Sequence, residues 1–261
     1  MSEYKEVFKR AEIKYLLSAG QYERLMPYLE RIAGIDAYGL SKINNIYFDT
    51  PDFRLIRASL DKPLYKEKLR LRTYGDTTGE TNSFIEIKKK YNGIVYKRRI
   101  SGRYADTYAC LTDRTRAVED SQVGREIRSF LQTYENLRPA MRIHYDRIAM
   151  AGLQDPDFRV TFDTNIRWDT GVLDLSAADT GKPILAPGQI LMEIKVANAI
   201  PLELSGKLSE WNIFPVSFSK YGRGYTDMIS PDAESRAHRG EIINYGWNRE
   251  RIMRKGVAAY V

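Results

Sequence analysis

Charged and apolar residues alternate with a period of two along several stretches of this chain. In the stretch 66–75, Lys68, Arg70 and Arg72 fall on one face and two leucines fall on the other. A period of two is the side-chain period of a β-strand. The pattern therefore predicts a strand with one basic face and one apolar face. Three cations on one face repel one another unless an anion or water compensates them.

The same alternation recurs in other parts of the chain, where most polar faces are also cationic. Antiparallel sheets commonly bury an apolar face and leave a polar face in solvent, so alternation alone does not decide which face is interior. Many such strands suggest a closed or strongly curved sheet with a charged interior. A large basic surface built from strands favours a polyanionic ligand. The further alternating stretches are 10–15, 84–90, 96–100, 159–163 and 192–196.

The order of the elements predicts a β-rich chain with few helices. Ser18 is a helix cap before an apolar stripe that runs to about Ile32. Asn92 and Gly93 form the strongest hairpin signal. The period changes only between 103 and 137, which predicts two helices there. Helices are also predicted at 53–60, 201–211 and 222–229, strands at 7–15, 43–49, 65–74, 83–90, 94–100, 141–150, 158–163 and 190–196, and a short run at 216–221.

Composition restricts the class of protein and its partners. The 261 residues carry a net charge of +7 with a pI of about 9.3, which favours nucleic acid, anionic lipid or polyphosphate as ligand. Tyrosines do not interleave with the basic faces as base-stacking platforms would, so no specific nucleic acid is predicted. A single cysteine, Cys110, is typical of a reducing compartment. No apolar run is long enough for a membrane span and the first residues do not resemble a signal peptide, so a cytoplasmic location is predicted.

Taken in order, these stretches resemble the VTC domain, a branch of the triphosphate tunnel metalloenzyme (CYTH-like) superfamily. The resemblance covers about residues 7–225. It implies a β-rich α+β fold in which about eight antiparallel strands close into a barrel or tunnel with flanking helices. We expect this domain to span 1–230 and a helical or partly ordered tail to span 231–261. The matching stretches are 10–15, 45–50, 68–75, 84–88, 95–99, 145–149, 158–164, 191–195 and 218–221.

The resemblance also implies an activity, namely ATP-dependent polyphosphate polymerisation. Family members transfer a terminal phosphoryl group from ATP to a growing chain, with a divalent metal ion (Mn or Mg) held partly by a glutamate. Such a reaction requires mainly positioning and charge neutralisation, which a cationic tunnel supplies. The implied partners are ATP and inorganic polyphosphate or triphosphate. A membrane-protein partner and the oligomeric state stay open.

One position separates the branches of the superfamily. The branch that includes triphosphatases and adenylyl cyclases is known for the motif Glu-x-Glu-x-Lys on its first strand. At the corresponding positions this chain has Arg10, Glu12 and Lys14. Losing a carboxylate weakens a two-metal hydrolytic site and adds phosphate affinity. This favours the polymerase. The alternatives are a tunnel-type tripolyphosphatase or nucleoside triphosphatase, and a non-catalytic polyphosphate-binding module.

The strand parity and the resemblance together predict three sets of site residues. The catalytic set is Lys14, Arg70, Arg72, Lys88, Arg147 and Lys220. The substrate-binding set is Arg10, Lys68, Lys97, Arg159, Lys195 and Ser219. The metal-binding set is Glu193, Glu12 and Glu86. Removing an interior cation is expected to relieve repulsion, so that stability holds or rises.

Simpler interpretations stay open at several of these positions. Glu12 and Lys14, or Glu193 and Lys195, can form ordinary ion pairs. Arg159 and Asp163 can be a tunnel ligand and its supporting carboxylate, or only a surface pair.

Two further interpretations depend on strand geometry. Arg142 and His144 have the opposite parity to Arg147, so only one set can face an interior, and the resemblance selects Arg147. A Ser219–Lys220 dyad is disfavoured because neighbours on a strand face opposite ways.

Overall fold

A computed structural model describes residues 11–92, 94–113 and 119–230. Within these ranges the chain forms a β-rich α+β fold of nine strands and six helices. Arg10 and the predicted tail at 231–261 lie outside the described residues. The strands are β1 (Ala11–Leu17), β2 (Ala33–Asp49), β3 (Tyr65–Tyr74), β4 (Asn82–Tyr91), β5 (Ile94–Arg103), β6 (Arg138–Gly152), β7 (Arg159–Asp169), β8 (Lys182–Pro183) and β9 (Ile190–Val196). The helices are α1 (Ala19–Leu29), α2 (Arg54–Leu60), α3 (Tyr104–Thr112), α4 (Gln122–Thr133), α5 (Leu202–Glu210) and α6 (Lys220–Ile229).

All strands join one antiparallel sheet, whose hydrogen-bonded order is β1-β9-β7-β6-β2-β3-β4-β5, with β8 added beside β7. The eight strands on this path agree with the predicted number. The predicted closed barrel is not confirmed, because no backbone pairing joins β1 to β5 in the part of the chain that the structure describes. The segment after α5 occupies part of the other edge of β1, where the Val216 amide donates to the Lys14 carbonyl at 2.7 Å.

The sheet nevertheless curls until its two ends approach each other through side chains. Lys88 on β4 places its Nζ 3.2 Å from Oε2 of Glu12 on β1, although six strand-to-strand steps separate these strands in the sheet. A flat sheet would hold them far apart, since neighbouring strands are about 4.8 Å from each other. The sheet therefore encloses a concave interior.

Helices cover the convex side of the sheet with two apolar clusters. Helices α1 and α5 share one buried cluster with β1, β9 and β7, which includes Leu25, Leu204 and Val160. Helices α3 and α4 pack on β3 and β4, where Leu111 and Ile127 are fully buried. Burying such a side chain contributes roughly 1.5–3 kcal/mol. Because these helices cover the apolar faces of those strands, the charged faces turn into the concave interior, where Tyr47, Tyr145 and Tyr221 belong to a third apolar cluster.

Two predicted elements differ from those observed. The helix that Ser18 caps ends at Leu29, three residues early, although the predicted cap is confirmed with both hydrogen bonds of a capping box. Strand β2 begins at Ala33 instead of Ile43. Its first half has no alternating pattern, and it is extended because it pairs with β6, with an irregularity between Ile35 and Leu40.

The helix predicted at 222–229 is present as α6, but it begins at Lys220, so the last residues of the predicted run 216–221 belong to the helix. Ser219 caps this helix by accepting a hydrogen bond from the Gly222 amide. The Tyr221 ring stacks on Tyr47, and its hydroxyl donates to the buried carboxylate of Asp49 at 2.8 Å. These contacts fix the first turn of α6 against β2. Among the described residues, no helix combines the length and hydrophobicity that crossing a membrane requires.

Candidate anion-binding site

Strands β3 and β4 supply the densest row of cations in the concave interior. In their register Lys68 lies opposite Lys88, and Arg70 lies opposite Glu86. The row becomes more accessible along β3, from the buried Arg72 to the partly exposed Lys68. The predicted alternation therefore places these cations side by side, as the sequence indicated.

Glu86 is the anionic centre of the first cluster in this interior, and its side chain is 1% exposed. Arg70 holds it through Nε and Nη2 at 2.7 Å, Arg72 Nε is 3.8 Å away, and Lys97 also pairs with it. Burial by itself raises the pKa of Glu86, but the charges of these three cations outweigh it and hold that pKa well below its usual range. Three cations already surround this carboxylate, and the predicted metal role of Glu86 stays a prediction.

The arginines of this cluster also bind uncharged polar groups. Arg72 donates from Nε to Asn45 Oδ1 at 2.8 Å and from Nη2 to the Tyr145 hydroxyl at 3.2 Å. Arg70 donates to the Tyr47 hydroxyl at 3.4 Å. Sequence reasoning missed Asn45, Tyr47 and Tyr145 as site residues. Their shared strand parity was visible, but only pairing between β2, β3 and β6 shows that they face these arginines.

Asp163 is the centre of the second cluster and is 0% exposed. Arg147 binds it through two hydrogen bonds of 2.6 and 2.8 Å, and Lys220 Nζ lies 2.5 Å from its Oδ2. Burial by itself raises the pKa of Asp163, but Arg147 and Lys220 outweigh it and lower that pKa. Asp163 is thus a supporting carboxylate of the interior, and the surface-pair alternative does not apply.

Arg147 is the arginine of β6 that reaches the interior, as the resemblance implied. Arg142, of opposite parity, is buried beneath the loop before β8 and donates to the carbonyls of Asp174, Ala177 and Ala178. His144 is buried on that side as well. Parity left both sets open, and the resemblance selected the arginine that the structure places in the interior.

The third cluster joins two glutamates through one lysine. Lys14 Nζ lies 3.1 Å from Glu12 Oε1 and 3.8 Å from Glu193 Oε2. Lys195 pairs with Glu193 at 2.7 Å, so the simple ion pair that the sequence left open is present. Burial raises the pKa of Glu12, but Lys88 and then Lys14 outweigh it and lower that pKa to about 2. The pKa of Glu193 is also well below its usual range, since Lys195 and Lys14 overcome the effect of its burial.

This third cluster is also the place where a divalent metal ion fits best. Two ionised carboxylates, Glu12 and Glu193, contact the same ammonium group and so lie close together. Mg²⁺ commonly binds through one or two carboxylates and completes its shell with water and substrate phosphates. The described residues contain no group of three or more acidic, histidine or cysteine side chains around one point. The donors present therefore suit an ion bound together with a phosphate ligand.

Lys68 and Ser219 lie beside the first turn of α6. Lys68 Nζ donates to Ser219 Oγ at 3.0 Å, whereas Lys220 turns to Asp163. The reason given above against a Ser219–Lys220 dyad is wrong, because Ser219 is a helix cap and not a strand residue. The pairing of Lys220 with Asp163 excludes that dyad instead.

Two interior lysines have pKa values near neutrality. Burial lowers the pKa of Lys68 to about 8, against an opposing effect of Tyr47. Burial also lowers the pKa of Lys97 to about 8, although Glu86 opposes this. Both amines therefore lose charge in mildly alkaline solution, where an arginine would not.

The remaining predicted residues lie at the margin or beyond the described ranges. Arg159 is exposed at the start of β7 and has no side-chain partner among the described residues. Arg10 precedes those residues, so its placement stays a prediction. Cys110 is buried in α3.

The geometry defines a class of protein in which a curled antiparallel sheet presents a cationic interior to a polyanion. The interior holds at least seven cations grouped around ionised carboxylates, and its convex side is covered by helices. The VTC domain model matches residues 9–229, and the chain belongs to this family. No curated protein matches the chain.

Solved structures are similar to this chain at low sequence identity. A candidate adenylate cyclase from Bacillus halodurans is 14% identical, with 82% of this chain and 94% of that chain covered and a TM-score of 0.50. A candidate adenylyl cyclase from Hippeastrum, described as having a dominant triphosphatase activity, is 15% identical, with 84% and 97% covered and a TM-score of 0.48. A candidate adenylate cyclase from Vibrio parahaemolyticus is 10% identical, with 82% and 96% covered and a TM-score of 0.46. At 14% identity the likeness to the Bacillus halodurans protein concerns the fold alone.

Proposed function

We propose that this protein is an ATP-dependent polyphosphate polymerase, which transfers the terminal phosphoryl group of ATP to a growing chain in the concave interior. The observation that carries this proposal is the state of the interior carboxylates. Glu12, Glu86 and Asp163 are each paired with at least two cations, which lower their pKa values. The interior is therefore rich in phosphate-binding groups and poor in proton acceptors.

This balance of charges suits a nucleophile that is already anionic. In chain extension a terminal oxygen of the chain attacks the γ-phosphorus of ATP, a P–O bond forms, the bond to the β,γ-bridging oxygen breaks, and ADP leaves. This step requires no base. It requires cations such as Arg70, Arg72 and Lys88 to offset the repulsion between the two phosphate groups. A divalent metal ion (Mn or Mg), held by Glu12 and Glu193, would neutralise further phosphate charge.

Hydrolysis is the second candidate, and the closeness of Glu12 and Glu193 favours it. A tripolyphosphatase or nucleoside triphosphatase must deprotonate a water molecule, which calls for a carboxylate or a metal ion at the attacking position. Glu12 is a weak base here, since Lys88 and Lys14 lower its pKa to about 2. We therefore expect slow hydrolysis relative to chain extension. A binding module without catalysis is the third possibility.

One experiment separates these three functions. Purified protein is incubated with ATP and Mn²⁺ or Mg²⁺, polyphosphate is stained on a gel, and phosphate release from tripolyphosphate is measured in parallel. Long chains with little phosphate release support the polymerase. Rapid phosphate release without polymer identifies a hydrolase, and neither product identifies a binding module.

Two neighbouring lysines on β4 provide a matched pair of variants for this assay. Lys88 points into the interior, whereas Lys89 points outward and pairs with Glu126 at 3.5 Å. Their side chains are 37% and 32% exposed, so their accessibility is similar. Lys88→Ala should abolish chain extension and Lys89→Ala should preserve it. Equal loss in both variants would mean that the interior face is not the site.

A further inference from the structure

A second group of lysines continues the interior row outward along β3 and β4. Lys66 precedes Lys68 on the same face of β3, and in the register it lies opposite Lys90 of β4. Lys62 belongs to the connection between α2 and β3 and is exposed. We call Lys62, Lys66 and Lys90 the outer lysines.

The outer lysines differ from the interior cations in what compensates their charge. Arg70, Lys88 and Arg147 each have a carboxylate partner. None of the outer lysines has an acidic partner within the described ranges, and Lys66 Nζ donates only to the Ser59 carbonyl at 3.1 Å. Burial lowers the pKa of Lys66, and the positive charges of Lys90, Lys62 and Lys14 lower it further. The register places Lys66 beside Lys90, two residues beyond the pair Lys68 and Lys88, so the outer lysines continue the interior row.

Accessibility shows the direction in which this row runs. Along β3 the interior-facing residues change from the buried Arg72 to the partly exposed Lys66, and along β4 from the buried Glu86 to the exposed Lys90. The row therefore leads from the interior to the surface. From Arg72 to Lys66 it covers about 20 Å, at roughly 3.3 Å per residue. That is longer than one triphosphate group.

From this arrangement we propose that the outer lysines form a subsite for the distal part of a polyphosphate chain, beyond the phosphates held in the interior. The inference builds on the proposed function, because it assumes that the interior binds phosphate. A chain long enough to leave the interior meets three cations that lack acidic partners among the described residues, so binding to them breaks no ion pair that the structure describes. A triphosphate held in the interior does not reach them. The subsite therefore distinguishes long chains from short ones.

Binding measurements test this subsite without requiring catalysis. The double variant Lys66→Ala/Lys90→Ala is titrated with tripolyphosphate and with long-chain polyphosphate by calorimetry at several salt concentrations. We expect affinity for the long chain to fall by about tenfold and the slope of log affinity against log salt to decrease by roughly one to two, as for lost phosphate contacts. Affinity for tripolyphosphate should fall much less than affinity for the long chain, because a triphosphate held at Arg70 and Arg72 makes no direct contact with Lys66 or Lys90.

The control is a double variant that loses the same charge from the convex side of the sheet. Lys89 and Arg98 both pair with Glu126, so Lys89→Ala/Arg98→Ala removes two cations from the convex side. It should bind both ligands like the wild type. Equal loss for long and short ligands, or equal loss in the control, overturns the subsite. If the wild type binds the long chain through the outer lysines but makes no polymer from ATP, the proposed function fails while the subsite stands.

Discussion

Replacing Asp163 with asparagine removes the carboxylate that compensates two cations of the interior. Asp163 is fully buried, and both of its oxygens accept hydrogen bonds from Arg147 or Lys220. Asparagine keeps one acceptor and turns an amide donor toward these cations. Removing one partner of a buried ion pair costs roughly 3–5 kcal/mol. In a domain of this size that corresponds to a fall in melting temperature of roughly 6–20 °C.

The assay is thermal unfolding followed by circular dichroism or calorimetry, at neutral pH and moderate salt. A matched control is Asp120→Asn, since Asp120 also pairs with two arginines, Arg125 and Arg128, but is 86% exposed. Exposed pairs contribute little, so we expect a shift below about 2 °C in the control. A melting temperature of Asp163→Asn equal to that of the control would refute the reasoning, because Arg147 and Lys220 would then be compensated by solvent.

A second arm of the same experiment connects stability to ligand binding. Phosphate oxygens can replace the missing carboxylate next to Arg147 and Lys220. Tripolyphosphate should therefore raise the melting temperature of Asp163→Asn more than that of the wild type. An equal or smaller rise in the variant would mean that the ligand does not reach these two cations.

Four further outcomes are expected. Arg72→Ala should lower the free energy of unfolding in urea by on the order of 3 kcal/mol, because Arg72 is buried and hydrogen-bonded to Asn45 and Tyr145. Lys88→Ala should stay near wild-type stability. This revises the expectation that removing any interior cation preserves stability. Glu193→Gln should bind ATP but lose metal-dependent turnover, and an unchanged metal titration would remove Glu193 from the site. Polyphosphate affinity should fall as pH rises through about 8, where Lys68 and Lys97 lose their charges, and Lys97→Arg should reduce that fall by the part due to Lys97 in a calorimetric pH series. Glu12 titrates at about 2 in the folded chain against an ordinary 4.5, so its contribution to stability is complete above pH 4.5 and is lost as pH falls toward 2; Glu12→Gln should lack this part of the acid unfolding curve.

The residues that face the same way were predictable because strand parity is a local property. Lys68, Arg70 and Arg72 share a face in the structure as they do in the pattern, and so do Glu193 and Lys195. The capped start of α1 and the bounds of β9 were also predicted correctly. Each of these features depends on a few consecutive residues and on the two-residue period of an extended backbone.

The partners of these residues were not predictable in the same way. Lys88 meets Glu12 across 76 positions of sequence, and Lys220 meets Asp163 across 57. Such contacts depend on strand order, on the curl of the sheet and on where α6 begins. The pattern at 216–221 indicated a strand, but the backbone there turns into a helix whose first residues enter the site.

The sequence by itself determined that many strands have a cationic face and that the chain resembles the VTC domain. It did not determine which face is the interior, since alternation is equally compatible with a solvated basic surface. Only the tertiary structure decided this, because α1, α5, α3 and α4 bury the apolar faces on the convex side and leave the charged faces to meet one another. It also decided that Glu86 and Asp163 compensate cations, because a carboxylate acquires that role from neighbours that are distant in sequence. Local periodicity specifies the direction of a side chain, and long-range packing specifies what that side chain meets.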